Sequence, residues 1–460
     1  MAKQFAVKPK KTERVDTKFR KIATDIPAPE SIPILEALRK AEPLSMTGQP
    51  PVLWDRAEGL QVHDKWGNTW LDWSCGVLVA SAGHSRKEII QAVKGALDKP
   101  LLHNYCFPSE YRAKLAAKLV ELAPKGLDKA FILTTGSEGV ECIIKISRAY
   151  GQKVSPKKTV VVTFNGDFHG RTMGSQLAGG TPVLKEWVGP TVDKGFAQVD
   201  FPSNIRTKDQ TFEGFLKALE AKGATAENIC LVFPETYQGG SAAFLPKEFA
   251  KKLRDWCTKN KIVLAFDEVQ AGFGRCGTLW GFEYYGVAPD IFSLGKGISS
   301  SLPLSAVIGK SELMDQFPPN SMTSTHTGNP LCCAAALASI DLILKEKLVD
   351  NCAKIGEQFI GGLNKIREKY PKNIAAVQGR GLVAGVHMVK PGTELEPDPE
   401  AAFSIIERCM EKGLLMFAPV GVGGGTVKIA PPLITTKEAM AEGLAVFEEA
   451  VAEVVGGKKK

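Results

Sequence analysis

Between about residues 130 and 310, short apolar runs rich in β-branched residues alternate with stretches whose apolar residues recur at helical spacing. The runs include Phe131-Ile132-Leu133, Thr159-Val160-Val161-Val162-Thr163-Phe164, Ile229-Cys230-Leu231-Val232-Phe233, Ile262-Val263-Leu264-Ala265-Phe266, Ile291-Phe292-Ser293-Leu294 and Ala306-Val307-Ile308-Gly309. A strand exposed on one face would alternate apolar and polar residues; these do not. Continuous apolar strands separated by helices predict an α/β fold with a mainly parallel sheet covered on both faces.

Outside this region the pattern changes. Residues Lys87 to Asp98 and Ser109 to Leu122 have the spacing of amphipathic helices. Leu60-Gln61-Val62 and Trp70-Leu71-Asp72-Trp73 flank the turn signal Lys65-Trp66-Gly67-Asn68, which predicts a hairpin. The first fifty residues are polar and broken by Pro27, Pro29, Pro33 and Pro43, so they are expected to wrap the surface. Beyond about 335 a long helix leads to strands near Gly381 to Val389 and Val427 to Ala430, then to a last helix from Thr436. That tail predicts an α+β lobe. The expected division is a segment 1–75 joining the small domain, a large domain 76–335, and a small domain 336–460.

Length agrees with two lobes, since 460 residues is long for one. The composition, 44% hydrophobic and 23% charged, is that of a globular chain with a sizeable core. The net charge of +8 does not change the picture. Much of the excess sits at Lys3, Lys8, Lys10 and Lys11 and at Lys458, Lys459 and Lys460, and no aromatic-interleaved basic stripe supports nucleic-acid binding. There is no signal-peptide-like run and no stretch of about twenty apolar residues. Ten dispersed cysteines lack CxxC spacing, which predicts reduced thiols in a soluble, cytoplasmic protein without a metal.

In an open α/β sheet, ligands gather at the carboxyl ends of strands. Four features fall there. Thr134-Thr135-Gly136-Ser137-Glu138-Gly139 follows a strand and opens a helix, as a phosphate cradle or an ordinary N-cap would. Asp267-Glu268 ends an apolar strand, suited to a metal, a protonated ring nitrogen or a simple loop cap. Lys296 lies between Gly295 and Gly297 at another strand end. Desolvation there would lower its pKa and leave an amine able to form a Schiff base; a surface lysine is the alternative. Phe168 and His169, in the loop from Asn165 to Thr172, could cover a flat ring or simply belong to the core or rim. Cradle, aromatic cover, acid and lysine occur in that order, as a pyridoxal phosphate site requires. A carboxylate about 4 Å from a pyridine nitrogen favours its protonated form by roughly 4 kcal/mol at an effective dielectric of 20, or about three pKa units.

These residues resemble the class-III pyridoxal-phosphate aminotransferases, the group containing 4-aminobutyrate and ornithine aminotransferases. The resemblance spans roughly residues 50 to 450. It is most specific from Phe266-Asp267-Glu268-Val269-Gln270-Ala271-Gly272-Phe273-Gly274-Arg275 to Pro289-Asp290 and Gly295-Lys296-Gly297, with further matches at Thr325-His326-Thr327-Gly328-Asn329-Pro330 and Ala430-Pro431-Pro432-Leu433. It implies fold type I, pyridoxal 5'-phosphate, and a homodimer with sites at the interface. Lys296 would be the Schiff-base lysine and Asp267 the partner of the pyridine nitrogen. Gln270 would bond the ring hydroxyl, Phe168 would stack on the ring, and Gly136 and Ser137 would bind phosphate with Thr325 of the neighbouring subunit. Arg171 matches the arginine that holds the substrate carboxylate in 4-aminobutyrate-type members. Two positions depart from that pattern. Gly240 follows Glu235-Thr236-Tyr237-Gln238-Gly239 where relatives carry a glutamate, and Lys428 stands where its arginine partner is usual. Val77 replaces a tyrosine of ornithine enzymes. The implied activity is ping-pong transfer of an amino group from an amino acid or ω-amino acid to a 2-oxo acid; the alternative is an amino-acid racemase or epimerase on the same scaffold.

Overall fold

In the computed structural model, which describes residues 3–189 and 195–456, the apolar runs form one seven-stranded sheet. Its strands are β1 (Lys129–Leu133), β2 (Val160–Phe164), β3 (Phe196–Val199), β4 (Ile229–Val232), β5 (Val263–Asp267), β6 (Ile291–Leu294) and β7 (Ser305–Gly309). They lie in the order β1-β7-β6-β5-β4-β2-β3. Every pair from β6 to β3 is parallel. Strand β7 is antiparallel to both β6 and β1, the one reversed strand in a sheet that is mainly parallel as expected. The reason is the connection. Residues 295–304 are too few for the crossover of a dozen or more that a parallel neighbour needs. The other six strands share one direction, and the sheet is mixed but mainly parallel.

Strands β4 to β7 are buried at every position, which explains their unbroken apolar character. The helix Gly136–Val154 lays Val140, Ile143, Ile144 and Ile146 against Leu231, Ala265, Ile291 and Val307 of the sheet. Each such side chain contributes about 1.5–3 kcal/mol by leaving water. Shared strand direction sends the carboxyl ends of β1, β2, β4, β5 and β6 to one edge of the sheet, where all four candidate motifs therefore sit.

Two compact units divide the chain. One runs from Lys87 to Val349 and holds this sheet; the other combines the residues up to Arg86 with those from Asp350 onward. The breaks thus fall away from the expected 75/76 and 335/336, because the helix Pro330–Lys345 runs through residue 335 without interruption. In the second unit, Gln61–His63 and Thr69–Asp72 form the expected hairpin, with Gly67 at φ 88° in its turn. Strand Leu414–Leu415 adds in parallel to Thr69–Asp72, and Ile22, Ile26, Val62, Trp70, Met410 and Leu415 pack together behind them. A separate antiparallel sheet joins Ile374–Arg380, Val383–Met388 and Thr426–Ile429. The N-terminal segment is more regular than expected, with a helix at Ile32–Ala41. Pro33 sits in its first turn, where a missing N–H costs no hydrogen bond, so the proline begins the helix instead of breaking it. Among the described residues, no helix is long and apolar enough to cross a membrane.

Candidate active site

The phosphate-cradle motif is a helix start whose side chains leave two amides open. Thr135 is the N-cap, and its hydroxyl accepts from Glu138 N–H at 3.2 Å. Glu138 Oε2 in return accepts from the amides of Thr134 (2.9 Å) and Thr135 (2.8 Å). Gly136 and Ser137, first in the helix, have no turn before them to bond to, so their N–H groups point outward at the positive end of the dipole. Val269 packs on this turn: a Cβ on Gly136 would lie 3.0 Å from its Cγ1 and one on Gly295 would lie 3.1 Å from the same atom. The cradle and the lysine loop therefore meet across one valine.

Lys296 follows extended Gly295 and adopts φ 43°, a left-handed conformation uncommon for a side-chain-bearing residue. Burial lowers its ammonium pKa, while Asp267 and Glu235 pull the other way. Asp267 is itself firmly held. Its Oδ1 accepts from Val269 N–H (3.0 Å) and Ser293 Oγ–H (3.1 Å), and its Oδ2 meets His169 Nδ1 at 2.8 Å. The His169 ring is buried, stacked on Phe233 at 4.8 Å, with Nε2 3.5 Å from Asp167 Oδ2. Burial disfavours its charge, but the two carboxylates outweigh that and hold its pKa up at about 10. Asp167 is raised by burial, opposed by His169 and by a 2.9 Å bond from Gln238 Nε2.

Glu235 lies on the other side of this cluster. Its Oε2 accepts from the amides of Phe168 (3.0 Å) and Gly239 (2.9 Å). Burial pushes its carboxyl up to about 8, reinforced by Asp167 and Asp267 and opposed by His169. Gln270 reaches the same spot, since a Cβ on Gly239 would lie 2.6 Å from Gln270 Nε2 and 2.8 Å from Glu235 Oε1. Phe168 is 37% exposed, so its ring is free to cover a ligand, and the Arg171 guanidinium lies 5.5 Å from its centroid. Arg171 N–H donates to Ser137 Oγ at 3.2 Å, which ties this loop to the cradle.

Gly136, Ser137, Phe168, Arg171, Asp267, Gln270 and Lys296 thus come together in one unit. Thr325 is exposed beside Ser324, whose hydroxyl lies 3.4 Å from Glu138 Oε1. Val77 and Lys428 belong to the other unit. Val77 is exposed in a left-handed turn at φ 58°, and Lys428 is buried on a strand opposite Gly385. Glu268 proves to be structural: it accepts from Thr236 Oγ1–H and from the amides of Gly281 (2.7 Å) and Phe282 (3.0 Å). Sequence reasoning left Glu235, Asp167 and Ser293 without a role and gave His169 no partner. The crowding of Asp167, His169, Glu235 and Asp267 at three strand ends was the available signal.

The residues present fit pyridoxal 5'-phosphate. Open amides at a helix start suit its phosphate, a desolvated lysine its aldehyde, a clamped carboxylate its ring nitrogen, and an exposed phenyl ring its face. Sheet and site together define a pyridoxal-phosphate-dependent transferase of fold type I. The family model for class-III aminotransferases matches residues 45–451, and the chain belongs to that family. It is 34% identical to the 5-aminovalerate aminotransferase DavT of Pseudomonas putida over 411 residues, covering 88% of this chain and 94% of the relative. It is 35% identical to ornithine aminotransferase 2 of Staphylococcus aureus over 393 residues, covering 84% and 91%. An amine transaminase structure from an uncultivated Pseudomonas species, in a pyridoxal-phosphate-bound form, superposes with a TM-score of 0.81 at 26% identity, covering 96% of this chain and all of that one. The protein is a pyridoxal-phosphate-dependent aminotransferase, and none of these comparisons favours a racemase or epimerase.

Proposed function

We propose that this enzyme takes the amino group of an ω-amino acid with a distal carboxylate, such as 4-aminobutyrate, and passes it to a 2-oxo acid. The observation that carries the reading is the desolvated Lys296 beside the His169-backed Asp267, one valine away from the open amides of Gly136 and Ser137. Bound pyridoxal phosphate would supply an electron sink for the carbon that loses its proton. The amides of Gly136 and Ser137 hold the phosphate, with Thr325 of a second copy completing the cradle in a homodimer. Asp267 holds the ring nitrogen in its protonated state; the charged His169 behind it fixes the orientation of that carboxylate. Gln270 bonds the ring hydroxyl and Phe168 covers the ring. Lys296 carries the cofactor and, as a free amine, removes the proton from the substrate carbon that bears nitrogen.

Arg171 supports the choice of donor. It is exposed beside the aromatic cover, where a guanidinium can receive a carboxylate in two-pronged fashion. The relative named for 5-aminovalerate is consistent with a donor of that kind. Lys428 and Val77 are assigned to substrate by the family resemblance, Lys428 as a one-point partner for an α-carboxylate. Ten cysteines without paired spacing support a reducing, cytoplasmic location.

Borohydride reduction of the purified enzyme, followed by peptide mapping, tests the core of this proposal. A pyridoxyl label on Lys296 is expected; a label elsewhere, or none, overturns it. Donors are then compared at fixed pyruvate, with 4-aminobutyrate and 5-aminovalerate expected to outperform ornithine.

A further inference from the structure

The helix Gly136–Val154 carries Ser137 and Glu141 one turn apart, so both face the same way. Ser137 accepts the Arg171 amide. Glu141 does more. Its Oε1 accepts from Thr172 Oγ1–H at 2.6 Å, Gly174 N–H at 2.8 Å and Ser175 N–H at 3.1 Å. Those two amides open the short helix Met173–Ala178, whose own N-cap, Thr172, makes no side-chain cap bond. A carboxylate from a distant helix thus supplies the missing cap, where its charge also complements the dipole. The approach is close. A Cβ on Gly174 would lie 2.2 Å from Glu141 Oε2, and one on Gly170 would lie 2.2 Å from Ser137 Oγ.

The first anchor, Ser137, holds Arg171 itself and the second, Glu141, begins at Thr172, so the loop with Phe168 and Arg171 is fastened at its carboxyl end. We infer that Glu141 is a positioning residue that sets where the Arg171 guanidinium stands and so fixes the length of donor the site accepts. This rests on the proposed role of Arg171 toward a distal carboxylate. Glu141 itself touches neither the reacting atoms nor the proposed phosphate contacts.

The test is Glu141→Ala in the holoenzyme, compared with Glu141→Gln. With 4-aminobutyrate as donor, Glu141→Ala is expected to raise KM at least tenfold while kcat changes less than threefold. With n-butylamine, which lacks the carboxylate, KM should change less than threefold. Glu141→Gln, which keeps an acceptor oxygen, should recover most of the loss. Hydrogen exchange followed by mass spectrometry should show faster exchange in a peptide spanning residues 168–178 and unchanged exchange in residues 140–154. Equal KM effects on both donors, or exchange that does not change in residues 168–178, overturn the inference. If wild-type enzyme turns over neither donor, the donor assignment falls, and the exchange result still decides whether Glu141 holds the loop.

Discussion

Lys296 illustrates how much of this chemistry is set by a single residue's surroundings. A positive φ on a lysine costs of order 1 kcal/mol or more and is kept where the neighbourhood over-determines it. Under the proposed function Lys296 is both carrier and base, so Lys296→Ala should lower turnover by several orders of magnitude; steady-state assay with 4-aminobutyrate and pyruvate measures it. Lys428 makes a second prediction. A lysine keeps the charge but not the planar fork of arginine, and one charged hydrogen bond is worth about 1.5–3 kcal/mol. 2-Oxoglutarate should therefore be a poorer acceptor than pyruvate, and Lys428→Arg should lower its KM severalfold. Glu268 makes a third. Burial pushes its carboxyl up to about 8, opposed by the backbone N–H groups that donate to both oxygens, Gly281 to Oε2 and Phe282 to Oε1. Glu268→Gln, which turns an NH2 toward one of those amides, should lower unfolding free energy by about 1–3 kcal/mol at pH 7, read by denaturant titration. The lysine and the aspartate were legible in the sequence because each ends an apolar strand. Their partners were not: His169 and Asp267 stand 98 positions apart, and nothing local announces that they touch.

At the scale of elements, the site depends on how a loop is fastened to a helix. Gly170 adopts φ 133°, which side-chain-bearing residues rarely enter, and a Cβ there would lie 2.7 Å from Ser175 Oγ as well as against Ser137. Gly170→Ala is expected to destabilise the protein by roughly 2–3 kcal/mol and to weaken cofactor retention, followed by thermal unfolding and by the visible absorbance of the bound cofactor. The helices at Lys87–Leu97 and Glu110–Leu122 were readable from the spacing of their apolar residues, and the last, Lys437–Val455, was expected from Thr436. Two features were not legible for identifiable reasons. Pro33 looks like a breaker unless its place in the first turn is known, and the direction of β7 follows from a connection length that an apolar pattern does not reveal. The motif from Thr134 to Gly139 was visible as a cradle or an ordinary N-cap, but that Glu138 would occupy two amides and leave the next two open was a matter of geometry.

For the whole molecule, the buried titratable groups predict how stability responds to alkali. Glu235 and Glu268 are raised to about 8 and His169 to about 10, each above its unfolded value. Between those values the native state holds more protons than the unfolded chain, so stability falls as pH rises. The contributions of the two glutamates are full below about 4.5 and lost through about 8, and that of His169 is full below about 6.5 and lost through about 10. Lys296 and Lys158, lowered by burial, work in the opposite direction, while the buried thiols and phenols of Cys230, Cys333, Tyr237 and Tyr285, raised by burial, act with the glutamates and His169. The unfolding temperature should therefore be lower at pH 10 than at pH 6, and Glu268→Gln should flatten the profile in calorimetry. The division of the chain bears on its synthesis too. The lysine-bearing unit is one unbroken stretch, Lys87 to Val349, whereas the other needs both ends. Leu71 emerges from the ribosome early, yet Leu414, which completes its sheet, arrives on the order of tens of seconds later. For that interval Thr69–Asp72 is an unfinished edge carrying Trp70 and Leu71, a surface that invites stray pairing and that a chaperone would be expected to shelter.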